Sequence, residues 1–555
     1  MVIIDARSTP GDSATVTFAR DVAPIVFQQC AGCHRPGQAA PFSLLTYEDV
    51  KKRAKLIDEV VGKRYMPPWL PEDGSHRFLD DRRLNVEEIR IIQTWIKQGT
   101  EQGSAAQLPP FPKWTEGWKL GKPDLVVQLP EPYTLAAEGK DVYRNFVFSI
   151  PTSERKFVRG VEFLPGNAKV IHHAFINVDP TPVSRRRALK ENPPGFDGMM
   201  LPETAIMPGG QFLGWQPGKS SYFSPDGLGW VLQTNTDLVL QLHMHPSGKP
   251  ETVQPSIGFF FTTQPPTNSA FRINLNPLII DIPAGKSDYT IEDSYKLPID
   301  VTLLGISPHA HYLGKHLEGR ATFPDGRVEE LLDIPNWDFN WQGDYRYSAP
   351  VFLPRDTTLS MRFTFDNSSD NPRNPGNPPK RVKYGLQTTD EMGELWFVVL
   401  PRSARERAAL GQDFYKHLAQ RTIDYNEYVL KENPKDAEAH TRAGRARLFL
   451  GDVQAAMQHY HAAVAANPEY DRGWYELGFA YLHQNQPGEA KKAFEKVVML
   501  NPDDYEARGS LGTIYMQQGN LQQAERFFRE ALSINPADRV ARGNLEALQK
   551  VRQKQ

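Results

Sequence analysis

Cysteine is almost absent: of 555 residues only Cys30 and Cys33 carry thiols. No disulfide framework can be built from them, so stability has to come from buried apolar cores. Charge of one sign is also lacking. A formal net charge of −2 gives no electrostatic reason to expect nucleic acid or an anionic membrane as partner. No run approaches the ~20 apolar residues of a membrane helix, so no transmembrane segment is expected. Residues 1–15 lack a basic stretch followed by an apolar one; with no signal peptide visible, the chain reads as mature or trimmed.

What is present has a globular composition, 40% hydrophobic and 23% charged. At roughly 150 residues per domain the length calls for three or four units. Residues 1–103 read as mostly helical. Within them VEEIRIIQTWIKQG sets Ile89, Ile92, Trp95 and Ile96 on one helical face and ends in glycine. A small-residue and proline-rich linker fills 104–123. Short alternating runs then take over, among them VYRNFVFSI, LVLQLHMH and TLSMRFTF, punctuated by Pro, Gly, Asn and Asp. They predict two all-β sandwich domains, 124–266 and 267–403, parted at the turn-rich TTQPPTNS.

From 404 to 555 the chain repeats itself. Asn-Pro returns at 433, 467, 501 and 535, and Gly444, Gly478 and Gly512 keep the same step of 34, as do Ala456, Ala490 and Ala524. The pattern resembles tetratricopeptide repeats, an all-α solenoid of paired helices with small residues at their contacts. Such arrays bind protein partners and name no chemistry.

CAGCH, at Cys30, Cys33 and His34, is the c-type haem attachment pattern. A dithiol redox pair or half a zinc site does not require a histidine directly after the second cysteine, and no second cysteine pair exists to complete a zinc site. One haem c is expected, held by both thiols with His34 on the iron. Met66, in RYMPPWLPE, is the candidate sixth ligand, since a thioether raises the potential and suits electron transfer; His76 competes with it. The segment resembles a small cytochrome c domain. Because bacteria attach haem outside the cytoplasm, an extracytoplasmic, periplasmic location is expected.

Seven of the 14 histidines fall between residues 172 and 316. They form tight groups: His172 and His173, His243 and His245, His309 and His311, with His316 just beyond. Residues two apart in a strand share a face, so His309 and His311 can grip one ion. Leu238, Leu240, Leu242 and Met244 make the expected core face, leaving His243 and His245 opposite. Adjacent His172 and His173 can bind together only at a strand end, bulge or strong twist. Imidazole sites without thiolate suit Zn, Cu, Fe or Ni, and a thioether tilts the choice to Cu(I).

KVIHHAF, LVLQLHMH, SPHAHYLGK and TTDEMGELWF, in this order and spacing, resemble the copper type II, ascorbate-dependent monooxygenases, the family of peptidylglycine α-hydroxylating and dopamine β-monooxygenases. The resemblance implies two jelly-roll sandwiches with one copper each, facing a shared cleft. It implies His172, His173 and His243 on the electron-transfer copper, and His309, His311 and Met392 on the catalytic one. Met361 rivals Met392 by position; His245 and His316 carry no ligand role and read as surface or outer-sphere histidines. It further implies hydroxylation of a substrate C–H with O2. Domain adjacency alone suggests the fused haem in place of ascorbate as electron inlet, with an external donor behind it. Ser307, Glu394 and Trp396 stand where peptide-hydroxylating members carry arginine, asparagine and tyrosine, so they mark the expected substrate pocket and remove the reason to expect a glycine-extended peptide. Two alternatives compete: a non-catalytic haem/copper redox or sensory protein acting through its repeats, and a scaffold with vestigial metal sites.

Overall fold

The computed structural model describes residues 15–552 apart from 39, 115–116, 192–194, 203, 209–213, 218, 220, 226 and 537. The reading of the leader thus falls, for residues 1–14, outside the described ones.

The N-terminal unit is helical. Its first helix runs in three consecutive pieces, Phe18–Val22, Ala23–Ile25 and Val26–Cys30, and ends on the first cysteine. Tyr47–Lys51, Ala54–Gly62 and Val86–Lys97 follow. The last begins at a capping box, in which Asn85 takes the Glu88 N–H and Glu88 takes the Asn85 N–H. Of the expected face, Ile92 and Trp95 are buried in the core and Ile89 and Ile96 flank it. Among the described residues of the linker only Ala105–Gln107 forms a helical turn.

The centre is β-rich and consists of two units, each with two main sheets closing on one core and a two-stranded sheet beside them. In the first, Leu125–Gln128, Ser256–Thr262, Lys156–Leu164 and Trp230–Leu232 form one sheet in that order. Gly195–Asp197, Val142–Ser149, Asp237–Met244, Ile171–Asp179 and Gly214–Trp215 form the other. Leu238, Leu240, Leu242 and Met244 point into the core, as the alternation predicts. The opposite face of that strand is buried too, because Val239 packs with Val147, Ala188 and Phe196 beneath the helix Val183–Glu191. In the second unit Phe271–Leu275, Gly393–Pro401, Val301–Ala310 and Tyr345–Leu353 make one sheet. Tyr289–Lys296, Thr358–Phe365, Gly314–Thr322 and Val328–Ile334 make the other.

The C-terminal unit is all helical, from Ala404–Glu432 to Arg539–Arg552. Asn433, Asn467, Asn501 and Asn535 cap the second helix of each pair, which explains the Asn-Pro marks. The recurring glycines have a packing reason. A Cβ on Gly444, Gly478 or Gly512 would lie 2.6, 3.0 or 2.7 Å from the rings of Tyr460, Phe494 and Phe528 on the partner helix. Helix Ala404–Glu432 ties the array to the second β unit, whose core includes Leu410 and Phe414, and Arg421 pairs with Asp293 at 3.0 Å.

One connection has no sequence signature. The segment after Met66 leaves the helical unit and lies along the second β unit. Trp69, Leu70 and Phe78 pack on that core, Leu79 N–H donates to Arg346 O at 2.7 Å, and Ser348 N–H donates to Arg77 O at 2.8 Å. Among the described residues no helix is long and apolar enough to cross a membrane.

Candidate functional site

The turn after Cys30 is closed by its own backbone: the N–H groups of Cys33 and His34 donate to Cys30 O at 3.2 and 3.0 Å. His34 Nδ1 donates to Phe42 O at 3.1 Å, which fixes the ring and leaves Nε2 with its lone pair. Burial, with smaller contributions from Cys33 and Glu88, pushes the Cys30 thiol up to about 12, far from a reactive thiolate. Both cysteines, His34 and Met66 line one cavity of about 690 Å³, within the usual range for a cofactor pocket. Two thiols one turn apart, an oriented imidazole and a thioether fit a c-type haem. His76, the rival of Met66, sits on the second β unit instead, its Nε2 3.2 Å from Glu329 Oε2, and does not line the cavity.

The first histidine group depends on a β-bulge. Ile171 pairs with Met244 and His173 with His243, so His172 is the extra residue on its strand. The bulge turns two adjacent imidazoles to one side, the condition that adjacency imposes. Ligand atoms of His172, His173 and His243 lie within 4.8 Å of one another. His243 Nδ1 is 3.1 Å from His173 Nε2. Two imidazoles on one ion, with bonds of about 2.0–2.1 Å, show such a spacing at an angle of about 100°. Both nitrogens of His172 are buried without a hydrogen-bond partner, and an ion held at one of them would relieve part of that cost. Burial, reinforced by the neighbouring imidazoles, lowers His172 to about 4 and His173 well below its usual value, keeping them neutral and able to ligate.

The second group is built at the end of Val301–Ala310. The rings of His309 and His311 are 5.2 Å apart. His309 Nδ1 donates to Gln342 Oε1, and His311 Nδ1 to Asp390 O at 3.1 Å, so in the neutral rings both carry the lone pair on Nε2. Burial and then His309 lower His311 to about 3. Glu391, fully buried, accepts the backbone N–H groups of His311, Leu313 and Met392, which brings Met392 to the same strand end. Met361 is packed in the core between the sheets, which removes it as the rival thioether. His316 pairs with Asp333.

Ser307, Glu394 and Trp396 share the face of His309, since Ser307 pairs with Trp396 and His309 with Glu394. They are occupied with protein partners. Glu394 accepts from Trp396 Nε1 at 3.0 Å and from Asn276 Nδ2 at 2.8 Å, and Ser307 Oγ donates to Gly343 O at 3.4 Å.

The groups are connected. Phe339, 3% exposed, lies 6.2 Å from the ring of His172 and 5.7 Å from that of His311. The cavity that holds Cys30, Cys33, His34 and Met66 is also lined by His172, His173 and His245. Sequence reasoning missed Asp141, Gln342 and Phe339, which reach the site from a strand start and a helical turn, and gave Glu391 no role. His245, expected as a surface or outer-sphere histidine, has its Nδ1 2.6 Å from Asp141 Oδ1, and Asp141 in turn reaches His243.

Comparison with known proteins supports the C-terminal unit. Tetratricopeptide repeat families match residues 423–471, 450–499 and 481–548, and this region consists of tetratricopeptide repeats. A structure described as the crystal structure of MamA shares 26% identity over 22% of this chain and 73% of that one, with a TM-score of 0.21. No curated protein matches the chain.

Proposed function

We propose that the chain is a copper-dependent monooxygenase that hydroxylates a substrate C–H with O2 and draws its electrons through a fused c-type haem. The helical unit is then a cytochrome c-like domain and the β units are copper-binding sandwiches of jelly-roll type. The observation that carries the reading is the single cavity lined by Cys30, Cys33, His34 and Met66 on one side and by His172 and His173 on the other. That arrangement supports an electron donor beside the first histidine group. The order of the four histidine and methionine motifs supports the enzyme class.

His172, His173 and His243 would hold one copper, and His309, His311 and Met392 the other. When bound, the haem supplies single electrons and the copper pair supplies the O2 chemistry. The chain's own part is to orient and to exclude water. Phe42 O, Gln342 and Asp390 O fix the tautomers of His34, His309 and His311. Glu391 holds His311 and Met392 together, and Phe339 fills the space between His172 and His311. The setting is extracytoplasmic, in the periplasm, with an external donor for the haem and a protein partner for the repeats.

The internal bonding of Glu394 to Trp396 and Asn276 favours the second reading, a non-catalytic haem/copper redox or sensory protein acting through its repeats. Oxygen uptake with stoichiometric loss of reductant separates the two. Copper-loaded wild type should consume oxygen and His309→Ala should not; equal uptake by both ends the monooxygenase reading.

A further inference from the structure

Asp141 and His245 have no part in the reading above, yet they complete its first site. Asp141 immediately precedes the strand Val142–Ser149, which pairs with Asp237–Met244 so that Tyr143 stands opposite His243. Its two carboxylate oxygens therefore reach different histidines. Oδ2 lies 3.0 Å from His243 Nε2 and Oδ1 lies 2.6 Å from His245 Nδ1. The Tyr143 ring stacks on His243 at 4.1 Å and 10°, holding the imidazole by its face while Asp141 holds its edge. Burial raises the Asp141 carboxyl, but the hydrogen bonds from His243 and His245 outweigh it and keep the group well below the usual carboxylate range.

The consequence is a choice of nitrogen. An imidazole can bind an ion through either nitrogen, and the partner of the other one decides which. His243 Nε2 donates to Asp141, so the lone pair is on Nδ1, the atom 3.1 Å from His173 Nε2. Asp141, as the partner of the other nitrogen, selects that tautomer. His245 is the second donor to the same carboxylate. Its ring is 5.0 Å from that of His172, and it lines the cavity shared with His34.

We propose that Asp141 is the positioning residue of the first histidine site, committing His243 to bind through Nδ1, and that His245 anchors Asp141 from the wall of the haem cavity. This rests on the reading of His172, His173 and His243 as copper ligands. Asn at position 141 keeps the shape but offers one acceptor oxygen where two are used.

The test uses the full chain. Cu(I) is titrated into wild type and Asp141→Asn against a competing chelator, and histidine tautomers of the metal-free proteins are read by 15N NMR. One of two copper sites should weaken by about 10–100-fold in the variant, as other outer partners of metal ligands do, with the second unchanged. Wild-type His243 should be the Nε2–H tautomer and the variant a mixture. Unchanged affinity and tautomer in Asp141→Asn overturn the proposal. So does an extra equivalent of metal taken by wild type and lost in the variant, which makes Asp141 a ligand. Should His173→Ala bind copper as wild type does, the copper reading itself fails, while the tautomer measurement still decides the role of Asp141.

Discussion

His311 and Met392, far apart in the chain, present their backbone N–H groups to the same oxygen of Glu391. The second oxygen takes the N–H of Leu313 at 2.9 Å. A buried carboxyl group thus ties the imidazole-bearing and thioether-bearing segments together through their backbone N–H groups.

Removing it should unfasten the second site alone. Glu391→Ala leaves three buried N–H groups without an acceptor, at a local cost of about 1–3 kcal/mol for each. Glu391→Gln keeps one acceptor oxygen and should cost less. Metal analysis checks this: the alanine variant should retain copper at the first group and lose it at the second. Loss from both groups, or from neither, contradicts the assigned role.

Met66 and His76 should behave oppositely. Met66→Ala should keep the haem covalently attached but open the iron to added imidazole or carbon monoxide, seen as a change in the haem absorption spectrum. His76→Ala should leave that spectrum unchanged, because His76 is engaged with Glu329 away from the cavity.

The repeat glycines give a contrast in sign. In Gly512→Ala the new methyl meets the Phe528 ring at 2.7 Å, and overpacking of this kind costs about 1–3 kcal/mol. Gly543 has nothing within 4 Å and lies in the helix Arg539–Arg552, so Gly543→Ala should stabilise by up to about 1 kcal/mol. Thermal melts followed by helical circular dichroism should move down for the first and up for the second.

Elemental analysis bears on every site together. One iron and two copper per chain are expected, with the copper count falling to one in His173→Ala. Zinc at the histidine groups would point to a structural or hydrolytic role instead.

These residues also mark what a reader of the sequence can and cannot see. A break in regular pairing at His172 is legible, because two adjacent histidines face one ion only at a strand end, bulge or strong twist; the register shows which of the three it is. The 34-residue step is legible because each repeat buries a glycine at the same position under an aromatic ring, Tyr460, Phe494 or Phe528. Asp141 and Phe339 are not legible. They reach the histidines through strand register and through the approach of one β unit to the other, which no local pattern encodes. The docking of Phe78 against Tyr347 is of the same kind, a contact between segments whose own periodicity is silent.

The central claim is that the haem feeds the first histidine site, and electron transfer within the chain tests it most directly. Haem-reduced, copper-oxidised protein is prepared without oxygen, and haem oxidation is followed by stopped-flow absorption. The account predicts oxidation on the timescale of turnover in wild type and its loss in His173→Ala. Haem that stays reduced beside oxidised copper would contradict the account.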